Sequence, residues 1–303
     1  MSLASSTSSL SAQVASNNAD IILAIAQETS RRAGVFQTAL TTFLADPSQD
    51  NLTAANKALE STYLAFLESE SAVFFTNPSV DAEMNALPDP ANVTETAGSP
   101  NDFNSLENLL TSYSTEISTA GPNVDSLKNS LVEQSARLTK SMQTFANAWT
   151  TDDGSNFRNE FFLQSNDDAI SRILQGASTI VGTVLPQGIQ GVDLSGHETG
   201  YPLSSDEAVS ALLGLESLFS GTYQTSNGGL ISGNGLQAII SAANPDAAQS
   251  IENSLLDAVT AAQKLDPEDP ESQQALLKIL STLNTEISSA ASNSGVLLSN
   301  ASP

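Results

Sequence analysis

The stretch Val124-Asp125-Ser126-Leu127-Lys128-Asn129-Ser130-Leu131, continued by VEQSARLTKSMQTFANAW to Trp149, decides the fold class. Leu127, Leu131, Leu138, Met142, Phe145 and Trp149 recur at spacings of three, four or seven, the period of an α-helix with one apolar face. Nothing inside the stretch breaks it, since it contains neither glycine nor proline. The spacing predicts one long helix.

Similar stripes lie on either side. Ile22, Ile25, Phe36, Leu40 and Phe43 predict a long first helix, with Gly34 a candidate bend. Leu52, Ala55, Leu59, Tyr63, Phe66 and Leu67 predict a second, and Asp46-Pro47-Ser48-Gln49 reads as its start, with Asp46 as the capping carboxylate. Asn77-Pro78 and residues 87–100 read as a loop leading to a helix at Phe103. Past Trp149, Asp152-Asp153-Gly154 ends the pattern, and Ile170, Ile173, Leu174, Ala177, Ile180 and Val181 resume it. Pro186 to Pro202 carries four glycines without periodicity and reads as a long loop. Helical patterns return over 206–219, 236–240, 246–265 and 271–291, the last entered through the connector Asp266-Pro267-Glu268-Asp269-Pro270. No run of strands is evident. The expectation is an all-α protein of two adjoining four-helix-bundle-like domains, 1–145 and 146–303, with the ligand position at their interface.

Composition narrows the partners. The 303 residues are 40% apolar, enough for a substantial core. Ten basic residues against 34 acidic ones give a net charge of −24, which repels phosphate backbones and anionic membrane surfaces and excludes nucleic acid as a partner. There is no cysteine, so disulfides, thiolate metal sites and cysteine nucleophiles are excluded. No apolar run is long enough to cross a bilayer, and the first residues lack the basic and apolar regions of a signal peptide, reading as a mature amino terminus or a remnant of expression cloning.

The segment Asp102-Phe103-Asn104-Ser105-Leu106-Glu107 resembles the Gly-x-His-x-x-Glu pattern of the imelysin family, iron-regulated cell-envelope proteins also classed as peptidases. Asp102 stands for the glycine and Asn104 for the histidine, while Glu107 matches. The second half is similar to the family in the order Trp149, Phe157-Arg158, Glu198-Thr199-Gly200-Tyr201, Ser204-Ser205-Asp206, Leu215 to Gly221 and Gly229-Leu230. Thr199 replaces the first serine of the family's loop element, and Pro202 stands at the second. Phe43-Leu44-Ala45-Asp46-Pro47 is similar to the family's opening helices, so the resemblance extends over about residues 20–290.

The resemblance implies two helical bundles with a site between them, a periplasmic or cell-envelope location, and association with iron or another divalent cation. Residue by residue it selects Glu107, Glu198 and Arg158, with Asn104 at the altered position and Tyr201 beside the loop element. His197, the lone histidine, is a candidate nitrogen ligand next to Glu198, so that Glu107, His197 and Glu198 would offer one nitrogen and two oxygens to Fe(II), Mn(II) or Zn(II). The plainer alternatives are a solvated or salt-bridged Glu107 on a bundle rim, where it could pair with Arg158, and an incidental His197. Asparagine neither titrates nor supplies an imidazole nitrogen, so a histidine-dependent peptidase mechanism loses its central group. Three functions follow: a non-catalytic binding or accessory protein for a metal ion or small ligand, an active metallopeptidase, and a drifted peptide- or polysaccharide-binding module with Tyr201 and Tyr223 lining the interface. Asp266, Glu268, Asp269 and Glu271 read as caps, not an EF-hand, and Asn166-Asp167-Asp168 as helix-start chemistry.

Overall fold

The computed structural model describes residues 3–73, 103–150, 157–163, 165–192 and 202–293; of residues 3–9, 71–73 and 104 it describes the backbone only. Helix α1 (Leu3–Ala45) runs without interruption for 43 residues, about 64 Å at the helical rise. Gly34 does not break it. Val14, Ile21, Ile22, Ile25, Phe36 and Phe43 are all buried along its length, and a stripe this long keeps the backbone helical through one glycine. Helix α2 (Gln49–Val73) returns along α1. Its cap is Ser48, whose Oγ accepts from Asn51 N at 3.3 Å, and not Asp46. Asp46 instead accepts from the Asn51 side chain, because Pro47 sets the chain one residue pair further on before the helix opens.

Helix α3 (Phe103–Ser118) packs on α2 and on α4 (Val124–Ala148), and α4 packs on α1. Leu131, Leu138, Met142, Phe145 and Trp149 are fully buried, so the stripe that decides the fold class is the face α4 turns to the core. Helix α5 (Phe157–Leu163) supplies Phe157 and Phe161, whose rings lie 5.2 and 5.5 Å from that of Trp149.

Helix α6 (Asn166–Thr179) is capped by Ser165, whose Oγ accepts from Asp168 N. It passes through a π-helical turn (Ile180–Val184) into α7 (Leu185–Ile189). Here the structure corrects the expected loop: residues 186–189 are helical. Proline lacks a backbone N–H and ends most helices, but at the first turn after a π-turn its missing donor costs nothing, and Leu185 N closes the wide turn onto Ile180 O.

Helix α8 (Ser205–Ser220) starts in a capping box between Ser204 and Glu207 and ends at Gly221, whose φ of +78° is left-handed. A short antiparallel hairpin follows, β1 (Thr222–Gln224) paired with β2 (Leu230–Ser232), with Tyr223 opposite Ile231. These strands are absent from the sequence expectation because each is three residues long, too short for alternation to register. Helices α9 (Leu236–Ala243), α10 (Pro245–Ala262) and α11 (Pro270–Asn293) close the second half, the last capped by Asp269 as read from sequence. Among the described residues the fold is all-α with this one small sheet.

The first half of α1 reaches into the second half of the chain. Asn17 Nδ2 donates to Gly221 O at 2.8 Å, Ser11 Oγ to Asp167 at 3.3 Å, and Arg158 pairs with Asp20 at 2.5 Å. Helix α2 packs along α8, where Gly214 allows the backbones to meet: a Cβ there would stand 2.0 Å from Glu68 O. One contiguous hydrophobic core joins both halves.

Candidate functional site

Phe103 and Glu107 are one turn apart on α3 and so share a face. Phe103 is buried, its ring 4.8 Å from Tyr63 and 6.0 Å from Phe66. Glu107, beyond it, is exposed at the mouth of a cleft of about 300 Å³ between α2, α3 and α8. Asn56, Glu60 and Tyr63 line it from α2, and Glu207 from α8. Glu207 is partly committed, because one of its oxygens accepts from Ser204 N at 2.6 Å. The Oδ1 of Asn56 is buried and has no hydrogen-bond partner among the described residues. A buried acceptor left unpaired costs on the order of 1–3 kcal/mol.

A second cleft, about 560 Å³, opens between the same two halves on the other side of the α2–α8 crossing residue Gly214. Arg32 and Glu68 line it from α1 and α2; Glu216, Ser220, Tyr223 and Ser226 line it from α8 and the hairpin. Beneath it Glu28 is buried, accepting from Arg31 Nη2 at 2.6 Å and from Arg32 Nε at 2.7 Å. These bonds, that from Arg31 foremost, hold the Glu28 carboxyl at about 2 against the opposing effect of burial. Burial pushes Glu68 upward, with Arg32 and Tyr223 acting against it. Tyr223 donates to Glu68 at 3.3 Å, and burial, then the Glu68 charge, raises its pKa so that the hydroxyl stays protonated.

Sequence reasoning reached Glu107 and Tyr223 but missed Arg32, Glu28 and Glu68. The pair Arg31-Arg32, three and four residues after Glu28 in a chain with only ten basic residues, was the available signal. Arg158 lies in neither cleft. Its partner is Asp20 rather than Glu107, and its guanidinium lies 5.4 Å from the Phe162 ring centre. His197, Glu198 and Tyr201 lie outside the described residues, as do Asn77-Pro78, residues 87–100 and Asp152-Asp153-Gly154; Asn104 is described by its backbone alone.

The sequence model of the imelysin family matches residues 22–291. The chain belongs to the imelysin family. In fold, this imelysin-family chain is similar to the crystal structure of an iron-regulated protein A precursor from Parabacteroides distasonis, with a TM-score of 0.68 over 93% of this chain and 95% of that one. The two are 16% identical, so the likeness carries the fold alone. No curated protein matches this imelysin-family sequence.

Among the described residues no group of three or more His, Asp or Glu side chains stands close enough to hold a metal ion. The described residues therefore do not by themselves fit a resident iron centre; what the Glu107 cleft offers is a set of oxygen donors open to solvent. No described helix is long and apolar enough to cross a membrane.

Proposed function

We propose that this imelysin-family protein is an exported, non-catalytic binding or accessory protein for iron or another divalent cation, carried as a ligand at the Glu107 cleft. The two halves, 1–145 and 146–303, act in this reading as adjoining bundles with the cleft at their junction. The observation that carries it is a cleft lined by Asn56 and by the carboxylates of Glu60, Glu107 and Glu207. Carbonyl and carboxylate oxygens suit hard divalent ions, and His197 and Glu198 would add a nitrogen and an oxygen. Asn104 in place of the motif histidine supports a binding role over peptidase chemistry, because no titrating group stands at that position. The family and its iron-regulated structural neighbour support iron as the first cation to test.

Thermal unfolding of chelator-treated protein with Fe(II) under anaerobic conditions, Mn(II), Zn(II) or Ca(II) is the test, run beside Glu107→Gln and Asn56→Ala. A native-state ligand at a hundred times its dissociation constant adds about 2.7 kcal/mol. The expected outcome is a rise selective for one cation that both variants reduce. An equal rise with every cation, undiminished in both variants, would sink the reading.

A further inference from the structure

The larger cleft between Arg32, Glu68 and Tyr223 has no part in the cation reading. We propose that it binds an uncharged saccharide, whose hydroxyls accept from Arg32 and donate to Glu68 and Glu216. Its volume of about 560 Å³ lies within the range of small-molecule sites, and its walls come from both halves of the chain.

The charges select the ligand class. Arg32 is fixed before any ligand arrives: Nε is bound to Glu28, and Nη1 donates at 3.1 Å to both the carbonyl and the hydroxyl of Ser61. Its remaining nitrogen, Nη2, takes part in none of these bonds and belongs to a side chain that lines the cleft. Glu28 offsets the guanidinium only in part, since its one charge is shared with Arg31, and a ligand carboxylate or phosphate would also face Glu68 and Glu216 in a chain of net charge −24. A cationic amine meets the opposite obstacle, with Arg32 in the wall and Arg31 on the same glutamate. A ligand that both donates and accepts without carrying charge satisfies the two kinds of group together.

The rest of the lining agrees. Ser217, Ser220, Thr222 and Gln224 add short groups that donate or accept as required. Leu213, 40% exposed, and the Tyr223 ring add apolar surface for the C–H face of a sugar. The Tyr223 hydroxyl is already committed to Glu68, which ties the hairpin wall to α2 and leaves the second Glu68 oxygen for the ligand.

The test is saturation-transfer NMR on the full chain with maltose, cellobiose and diacetylchitobiose, each at millimolar concentration, followed by calorimetric titration of whichever binds. Glu216 is exposed, so Glu216→Gln leaves the core untouched. Loss of its charge-assisted hydrogen bond should weaken binding about tenfold. Tyr223→Phe should weaken it as well, and Glu107→Gln, in the other cleft, should not. Transfer to none of the three sugars would overturn the proposal, as would binding of spermidine or N-acetylglutamate in their place, or sugar binding that both Glu216→Gln and Tyr223→Phe leave intact.

Discussion

Glu28 is the residue on which the second cleft rests, because it is buried on α1 and both neighbouring arginines turn back to it. Its carboxyl titrates at about 2 in the folded protein against an ordinary 4.5. The folded state therefore binds the proton more weakly than the unfolded chain, and the ion pairs contribute fully above 4.5 and progressively less as the pH falls toward about 2. Glu28→Gln keeps the shape and removes the charge. At neutral pH the variant should be less stable by about 1.5–3 kcal/mol, the range for hydrogen bonds to charged groups. The difference in melting temperature between wild type and variant should shrink from pH 4.5 downward; a difference that stays constant across that window would show that the charge is not what matters. Because Glu28 also orients Arg32, the variant should lose saccharide binding at neutral pH, where the fold survives.

At the scale of elements, the crossing of α2 over α8 sets both clefts, and Gly214 sets the crossing. Adding a methyl group there would place it 2.0 Å from the Glu68 carbonyl, a backbone atom that can move only with its helix. Gly214→Ala should destabilise by about 1–3 kcal/mol through overpacking, although alanine is the better helix former by about 1 kcal/mol. Chemical denaturation measures this, and a neutral or stabilising result would mean the helices separate freely. The long helices were legible in the sequence because a one-sided apolar stripe persists over many turns, as in Val124–Trp149. The starts and stops were less so: the Ser48 cap and the π-turn before Pro186 depend on local hydrogen bonds that periodicity does not encode. The Glu107 cleft was reached through a short motif on one helix. The Arg32 cleft was not, because Glu68 and Tyr223 meet across 155 residues and neither carries a recognisable pattern alone.

For the whole molecule, the dominant electrostatic fact is a net charge of −24. Self-repulsion of that size opposes the compact state and is screened over roughly 10 Å at 0.1 M salt. Sodium chloride should therefore raise the melting temperature of the wild type, and of Glu107→Gln nearly as much, since one charge among 34 acidic residues barely alters the field. The single core that joins both halves, with the first half of α1 bonded to Gly221 and Asp167, should make this rise appear in one cooperative transition. Divalent salts will also stabilise through screening alone, so a site at Glu107 is measured only by what remains at matched ionic strength. With magnesium chloride and sodium chloride compared in that way, the variant should show no excess, while the cation that the cleft selects should retain one in the wild type. If sodium chloride fails to stabilise either protein, repulsion is not limiting, and the acidic surface must be balanced by contacts stronger than the exposed ion pairs such as Arg137–Glu133.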